Sequence, residues 1–290
     1  MAERPQKKVC ETEILVYGHI LERLLSQQTL DGEFELDYRI RQSNKIIETI
    51  LAKTKTPLLI NFSGGKDSTI LLDLVQNVTD NFICCYMSTE IELPKNIDYV
   101  REACEKRGCQ LLVSTPSEHK GDFFSRLAKF KIFPTFSAPW CTRDLKIRPQ
   151  RKMLNRLYGK KTFFKLTGVR RAESSRRTKI YKSYKLEGFI QNEYQYGGRD
   201  QLIHPILYWS DENIIEYLRR EKIRVKTNPL YEKFGVSGCA WCYFYQSCIY
   251  EKILAEYPNL YDHFIEWEKK LNTPSVSGYI WLKDLKNALS

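Results

Sequence analysis

One short loop constrains the fold of this 290-residue chain more than any other stretch. Residues 61–69 read Asn-Phe-Ser-Gly-Gly-Lys-Asp-Ser-Thr and lie between two apolar runs, 57–60 and 70–75. The first run predicts a buried strand, and the second predicts the opening turns of a buried helix. Small residues at such a junction let backbone N–H groups converge on an anion, and the helix dipole adds roughly half a positive charge there. The loop therefore predicts a phosphate-binding site.

The side chains of the loop can add to this site. Ser63, Ser68 and Thr69 offer hydroxyl donors, and Lys66 offers a charge on a flexible stem. Asp67 is predicted either to cap the following helix or to help hold Mg²⁺. The glycine spacing differs from the G-x-x-x-x-G-K-[ST] pattern of Walker loops. An ordinary strand-to-helix turn is the alternative interpretation of the same residues.

Hydropathy narrows the class of protein. Hydrophobic residues make up 42% of the chain, which is enough for a substantial core. The first residues lack the apolar stretch of a secretory signal, and no run approaches the about 18 apolar residues that a membrane span needs. We therefore expect a cytoplasmic protein without a membrane partner, in which the nine cysteines do not form a disulfide framework.

The net charge of +11 is distributed unevenly. Residues 143–185 hold sixteen Lys and Arg against two acidic residues, so the rest of the chain carries about −3. This local excess is larger than the roughly four negative charges of a bound triphosphate require, which favours a polyanion as partner. A nucleic acid is the predicted partner, and a solvated basic face is the alternative.

The order of predicted elements indicates an α/β fold with a parallel sheet. Strands are predicted at 57–60, 81–87, 110–114, 162–168 and 202–206, and helices at 11–28, 38–53, 97–107, 212–222, 249–271 and 278–289. Residues 120–158 are predicted to be mainly helical, and 170–200 to form a long loop or hairpin with a turn at Gly197 and Gly198. We expect a helical N-terminal segment (1–54), a five-stranded sheet domain (55–210) and a helical C-terminal part with a cysteine cluster (211–290).

Three cysteines of the C-terminal part have the spacing of metal ligands. Cys239, Cys242 and Cys248 form C-x₂-C-x₅-C, and Cys141, at a proline-bounded turn, is the candidate for a fourth ligand. An iron–sulfur cluster is the predicted occupant. A structural zinc ion and three buried thiols without metal are the alternatives.

The other cysteines carry weaker signals. Cys84 and Cys85 lie in an apolar strand and are predicted to be inert core residues. Cys10, Cys104 and Cys109 are candidates for carrying a persulfide, which depends on exposure and thiolate character.

Four segments in this order resemble one family. They are Ser-Gly-Gly-Lys-Asp-Ser (63–68), Trp-Cys-Thr-Arg-Asp-Leu-Lys-Ile-Arg-Pro (140–149), Thr-Gly-Val-Arg-Arg-Ala-Glu-Ser (167–174), and His-Pro-Ile-Leu-Tyr-Trp (204–209) followed by residues 228–242. Together they resemble the phosphoadenylyl-sulfate (PAPS) and adenylyl-sulfate (APS) reductases, whose PP-loop relatives are ATP pyrophosphatases. The resemblance implies an adenine-nucleotide α-hydrolase-like sheet, with ATP at the carboxyl ends of the strands.

Two departures refine this resemblance. Trp140 stands where cluster-bearing reductases have a second cysteine, and no cysteine follows Cys248 to serve as the reductase nucleophile. The pattern is most similar to the DndC/SspD proteins of DNA phosphorothioation. This similarity implies a 4Fe-4S cluster, cleavage of ATP to AMP and pyrophosphate to activate the DNA backbone, a cysteine desulfurase partner and other phosphorothioation proteins. A tRNA-thiolating enzyme, a sulfonucleotide reductase-like protein and a cluster-bearing scaffold with little turnover are the alternatives.

The resemblance also implies roles for individual residues. Five loop residues would hold the β- and γ-phosphates, and these are Ser63, Gly64, Gly65, Ser68 and Thr69. Four basic residues would contact the α-phosphate or the nucleic acid, and these are Arg143, Lys146, Arg170 and Arg171. Lys66 would neutralise charge, while Met87, Ser88 and Gly168 would line the nucleotide. His204 is predicted to be structural rather than a catalytic base.

Overall fold

A six-stranded sheet lies at the centre of the computed structural model, which describes residues 35–181, 189–192, 200–222, 225–276 and 280–288. Its strands are β1 (Leu58–Asn61), β2 (Phe82–Met87), β3 (Leu111–Ser114), β4 (Phe164–Thr167), β5 (Ile190–Asn192) and β6 (Gln201–Ile203). The order is β3-β2-β1-β4-β6-β5, and every neighbouring pair is parallel except β5 with β6. The α/β fold and the five predicted strands are confirmed.

The predicted strand count of five is wrong, because β5 adds an antiparallel edge strand. Ile190 pairs with Ile203 of β6, and β5 lies within the stretch predicted as a loop or hairpin. That stretch also contains a 3₁₀ turn (Arg171–Glu173) and a short helix (Ser175–Ile180). Its predicted turn at Gly197 and Gly198 lies outside the described residues.

Helices cover the sheet and build the C-terminal part. They are α1 (Glu35–Leu51), α2 (Lys66–Val78), α3 (Asn96–Lys106), α4 (Phe123–Phe130), α5 (Arg148–Tyr158), α6 (Ser175–Ile180), α7 (Asp211–Arg220), α8 (Pro229–Phe234), α9 (Ser247–Glu256), α10 (Asp262–Leu271) and α11 (Leu282–Asn287). The stretch 249–271 is two helices rather than one, because Pro258 interrupts the pattern. The predicted helix 11–28 lies outside the described residues. No helix in the described ranges combines the length and apolarity that a bilayer span requires.

Two apolar clusters form the main cores. The first packs α1, α2, α3 and α7 against the sheet, with Ile47, Leu71 and Val100 fully buried. The second is rich in aromatic rings and joins α4 to α8–α11 around Phe123 and Trp241. Because α7 packs in the first core, the sheet's core extends past residue 210. The predicted domain bounds stay a prediction.

His204 is buried just after β6, as a structural histidine would be. Its Nδ1 lies 2.6 Å from the Thr167 hydroxyl, and its Nε2 lies 3.3 Å from the Tyr181 hydroxyl. Burial, followed by the charge of Arg177, lowers the pKa of His204 from 6.5 to about 4. The folded protein therefore favours the neutral ring.

This shift predicts a loss of stability in acid. The unfolded chain binds the proton near pH 6.5, whereas the folded chain binds it only near pH 4. The stability that the neutral His204 ring allows is therefore fully present above pH 6.5 and is lost as the pH falls toward 4. Between pH 7 and pH 5 the free energy of unfolding should fall by about 2 kcal/mol through this group. Urea unfolding of wild type and His204→Asn at both pH values measures it. An equal pH slope in the two proteins would contradict the prediction.

Candidate active site

The phosphate loop runs from the end of β1 to the start of α2. Gly65 is the N-cap of α2, and Asp67 lies in the first helical turn, where its Oδ1 accepts a hydrogen bond from the Arg170 Nε at 2.8 Å. Gly64 has a φ of +78°, and a Cβ there would lie 2.9 Å from Val100 of α3. Glycine is therefore required at 64 both by conformation and by close packing. The helix N-terminus stays available to an anion.

The three hydroxyls of the loop have different environments. Ser63 is exposed, and its Oγ lies 3.2 Å from the Ser68 Oγ. Ser68 and Thr69 are buried and donate to the Gly65 carbonyl at 2.9 and 3.0 Å. Ser63 is thus the loop hydroxyl best placed to meet a ligand, while the other two brace the turn.

Lys66 points toward α8. Its Nζ donates to the Tyr231 hydroxyl at 2.5 Å and lies 4.6 Å from the centre of that ring. Burial opposes the charge of Lys66, but Asp67 and the bond to Tyr231 outweigh it and raise the pKa of the ammonium. The side chain therefore supplies a positive charge beside the loop.

Arg170 is buried beneath the loop. Its Nε donates to Asp67 at 2.8 Å, its Nη2 donates to Asp211 at 2.8 Å, and its Nη1 donates to the Trp209 carbonyl at 3.4 Å. The guanidinium thus joins the first turns of α2 and α7. The structure places Arg170 as a support of the loop, whereas the sequence predicted a contact with phosphate or nucleic acid.

Two asparagines that the sequence did not predict hold the outer side of the loop. Asn96, at the start of α3, donates to the Ser63 carbonyl at 3.4 Å, and Asn228 donates to the Asn96 side chain at 2.8 Å. Both are buried. Asn228 begins the segment 228–242, which resembles the reductase family, so the sequence could have identified it as a site residue. No motif in the sequence marks Asn96.

At the end of β2, Met87 and Ser88 occupy the edge where ligands of open α/β sheets bind. Met87 is half-buried, and the buried Ser88 accepts a hydrogen bond from the Glu90 N–H at 3.1 Å. Their predicted role in lining the adenine and ribose stays a prediction.

The cysteine segment lies against this same edge. The Cys239 Sγ is 3.3 Å from the Thr89 hydroxyl, and the Ala240 N–H donates to the Ile91 carbonyl at 2.7 Å. Two residues before Cys239, the Ser237 hydroxyl lies 3.6 Å from the position that a Cβ on Gly65 would take. The segment therefore contacts the β2 loop and lies next to the phosphate loop.

The Lys146 ammonium interacts electrostatically with three of the predicted cysteine ligands. The charges of Cys239, then Cys141 and Cys242, raise the pKa of the Lys146 ammonium against the effect of burial. Burial raises the pKa of the Cys242 thiol to about 12. Cys248, in the first turn of α9, donates to the Gln246 side chain at 3.8 Å. Three of the four predicted ligands thus interact electrostatically with one ammonium, and the ligand set stays a prediction.

Part of the basic excess is neutralised inside the molecule. Arg143 and Arg148 both bind the buried Asp144, at 3.0 and 2.7 Å, and Lys165 is buried against Asp200 at 2.8 Å. Arg171 lies over the Tyr208 ring at 5.8 Å. The basic surface that remains centres on α5. There, a cavity of about 380 Å³ is lined by His119, Lys120, Arg148, Arg151, Lys152 and Asn155.

Beyond the carboxyl end of β3, several buried polar atoms have no hydrogen-bond partner among the residues that the structure describes. They are Ser114 Oγ, Thr115 Oγ1, His119 Nδ1, and Nε and Nη2 of Arg126. Ser114 and Arg126 are almost fully buried. Burial, followed by the charges of Lys152, Lys120 and Arg126, lowers the pKa of His119. Water or a polar ligand group would satisfy these atoms. Sequence inspection gave no signal for them.

A cavity of about 910 Å³ lies between α2 and α3 and is bordered by residues 226–230. Thr69 and Tyr99 line it next to the loop, and their hydroxyls lie 3.3 Å apart. It is large enough for a nucleotide. Because open α/β sheets bind nucleotides at strand ends rather than between crossover helices, we do not assign it to the nucleotide.

Residues 57–247 match the phosphoadenosine phosphosulfate (PAPS) reductase domain family, well over half of the chain. The chain belongs to this family. The narrower resemblance to DNA phosphorothioation proteins stays a prediction.

Two relatives of this PAPS reductase-family chain come from Methanocaldococcus jannaschii. The uncharacterized protein MJ0973 is 28% identical over 211 residues, covering 72% of the chain and 47% of the relative. The uncharacterized protein MJ0066 is 26% identical over 268 residues, covering 91% and 52%. The chain thus spans about half the length of these curated relatives.

Among solved structures, FMN adenylyltransferase of Candida glabrata in complex with FMN and the ATP analog AMPCPP superposes with a TM-score of 0.52. The match covers 78% of this chain and 71% of that chain at 15% identity. At this identity the likeness shows the fold.

The spacing of the Cys141, Cys239 and Cys242 thiols can be compared with what a zinc ion and an iron–sulfur cluster each require. Four thiolates on one tetrahedral zinc lie about 3.8 Å apart, since Zn–S bonds are about 2.3 Å long. Among the residues that the structure describes, Cys141, Cys239 and Cys242 do not form a group with ligand atoms within 4.8 Å. An iron–sulfur cluster places each thiolate on its own iron atom and so needs wider spacing. Four cysteine thiolates suit the chemistry of either group, so the donor set is compatible with an iron–sulfur cluster and, in the part of the chain that the structure describes, does not form a preformed zinc-sized group.

Proposed function

We propose that this PAPS reductase-family chain is an ATP pyrophosphatase that activates a nucleic-acid acceptor for sulfur insertion, with the DNA backbone as the acceptor. The observation that carries the proposal is the position of the cysteine segment at the sheet edge, where Cys239 contacts Thr89 of the β2 loop and Ser237 lies next to Gly65 of the phosphate loop. Sulfur chemistry and ATP cleavage would then share one edge of the sheet.

The first step would be adenylyl transfer. An acceptor oxygen attacks the α-phosphorus of ATP, the bond to the β-phosphate breaks, and pyrophosphate leaves with the electron pair. The α2 N-terminus and Ser63 would hold the departing pyrophosphate, and Lys66 would offset its charge. Positioning and charge neutralisation supply most of the catalysis in such transfers. Mg²⁺ would further neutralise the phosphates.

The second step would replace oxygen by sulfur. A sulfide-level nucleophile attacks the activated atom of the acceptor, and AMP leaves with the oxygen. A cysteine desulfurase would supply the sulfur as a persulfide, and a thiol reductant would release it at the sulfide level while being oxidised to a disulfide. Other phosphorothioation proteins would present the DNA. A 4Fe-4S cluster on Cys141, Cys239, Cys242 and Cys248 would supply redox or sulfur-binding chemistry when bound. Lys146 would balance the negative charge of its thiolates.

The acceptor would approach over the basic surface of α5. Arg151, Lys152 and Arg156 lie on this helix, with Lys160 and Lys161 just beyond it. Such a surface contacts phosphates and carries no base specificity. It suits tRNA as well as DNA, so tRNA thiolation is the second candidate function.

Pyrophosphate release tests the enzymatic proposal. Ser63→Ala should lower the rate of AMP and pyrophosphate formation by about 10- to 100-fold, because it removes one donor to the departing anion. Ser125→Ala, at an exposed position of α4, is the matched control and should keep the wild-type rate. The assay uses anaerobically purified protein with ATP, Mg²⁺, a desulfurase, and either DNA or tRNA. If neither acceptor elicits pyrophosphate, or if both variants behave alike, the proposal is wrong.

Product analysis separates the two acceptors. Nuclease digests of DNA and tRNA from a host with and without the gene are analysed by mass spectrometry. Phosphorothioate dinucleotides that depend on the gene would support the DNA proposal. Gene-dependent thiolated nucleosides in tRNA, with unmodified DNA, would instead support tRNA thiolation.

A further inference from the structure

Three other cysteines meet at a place away from the nucleotide edge. Cys84 lies within β2, Cys104 in the last turn of α3, and Cys109 just before β3. Their sulfur atoms all lie within 4.8 Å of one another, and those of Cys84 and Cys109 are 3.8 Å apart. Cys84 and Cys104 are buried, and Cys109 is half-buried.

We propose that Cys84, Cys104 and Cys109 form a binding site for a thiophilic metal ion, for which Zn²⁺ is the probe. Thiolates on a tetrahedral zinc lie about 3.8 Å apart, which matches the separation of Cys84 and Cys109. Soft thiolates select zinc or monovalent copper over magnesium and calcium. Three protein ligands leave a fourth position, which water can fill on the half-exposed side of Cys109.

The surroundings suit such a site. Binding forms three metal–sulfur bonds, and each thiol that is still protonated releases its proton to solvent. Three thiolates with a divalent ion leave one net negative charge. Arg107, which follows α3 and acts electrostatically on Cys104 and Cys109, lies where it can offset that charge. It is held by Asp73 at 3.1 Å and Gln76 at 2.9 Å.

The ion would tie α3 to the sheet and thereby brace the phosphate loop. The opposite end of α3 supports that loop, since Asn96 donates to the Ser63 carbonyl and the Tyr99 hydroxyl lies 3.3 Å from that of Thr69. These contacts hold the first end of α3, and a metal at its last turn would hold the other end. Both ends of the helix would then be restrained. The inference stands independently of the proposed nucleotide chemistry.

Metal content of matched variants tests the site. Full-length protein is reduced, stripped with a chelator, loaded with Zn²⁺ and desalted, and zinc per chain is measured by elemental analysis. Cys109→Ala should bind one equivalent less than wild type, with at least a tenfold loss of affinity in competition with a chromophoric chelator. Cys85→Ala is the matched control, because Cys85 is the next residue of β2 but packs in a different apolar cluster. It should keep the wild-type zinc content.

Co²⁺ substitution gives a second readout on the folded wild-type protein. Thiolate-to-cobalt absorption should appear with the additional equivalent and be lost in Cys109→Ala, while circular dichroism shows an unchanged fold. Zn²⁺ should also raise the melting temperature of wild type more than that of Cys109→Ala. Equal zinc content in wild type and Cys109→Ala, or a loss of the same equivalent in Cys85→Ala, would overturn the proposal.

Discussion

Replacing Arg170 by methionine is expected to lower the free energy of unfolding by about 3–5 kcal/mol. The guanidinium is 2% exposed and binds two carboxylates, Asp67 and Asp211. Methionine fills a similar volume but leaves Asp67, which is 17% exposed, without its partner. Removal of one member of a buried ion pair costs more than the pair contributes, because the remaining charge keeps its desolvation penalty.

Arg171→Met is the matched control for this measurement. Arg171 is adjacent in sequence, but its guanidinium packs on the Tyr208 ring at 5.8 Å, so its loss should cost less than about 1 kcal/mol. Urea unfolding of the two variants and wild type gives both values. A cost for Arg170→Met no larger than that for Arg171→Met would show that the buried network contributes little to stability.

The same pair shows where sequence reasoning reaches its limit. The segment Thr-Gly-Val-Arg-Arg identified two basic residues after a strand and correctly placed them at the carboxyl edge of the sheet. Which arginine turns inward depends on Asp211, which is 41 residues away and is brought close only when α7 packs on α2. Local sequence carries no record of that contact.

Strands were predictable to the extent that they are buried. Parallel strands covered on both faces read as continuous apolar runs, which is why β1 and β2 were found within about a residue of their bounds. The edge strand β5 is three residues long and lies between polar stretches, so no run marks it. The π-helical stretch Thr142–Ile147 was expected as ordinary helix, since a shift in hydrogen-bond register leaves the apolar pattern intact.

Cysteine spacing was informative only where the ligands are close in sequence. Cys239 and Cys242 share one turn, so their C-x-x-C spacing alone indicates a common site. Cys84, Cys104 and Cys109 come from a strand, a helix and a loop, and the β2–β3 pairing brings them together. Cys84 was expected to be an inert core residue for this reason. The burial of Cys84 was predicted correctly, but its proximity to Cys104 and Cys109 was not.

Replacing Gly168 by alanine is expected to reduce pyrophosphate release by about 10- to 100-fold. A Cβ at this position would lie 2.9 Å from the Asp67 carbonyl carbon and 2.9 Å from the Ser68 backbone nitrogen. Both are backbone atoms at the N-terminus of α2, so the clash cannot be relieved by turning a side chain. The helix must move away from β4, and the phosphate-binding N–H groups move with it. A displacement of about 1 Å is enough to cost about 100-fold in a positioned reaction.

Stability should change less than activity in this variant. Overpacking of this kind costs about 1–3 kcal/mol, so Gly168→Ala should still fold. Gly238→Ala is the control for stability, because a Cβ there meets nothing within 4 Å. Urea unfolding and pyrophosphate release are measured on both variants. Full pyrophosphate release by Gly168→Ala would mean that the position of the α2 N-terminus does not determine the rate, and the assignment of the loop to the leaving pyrophosphate would then fail.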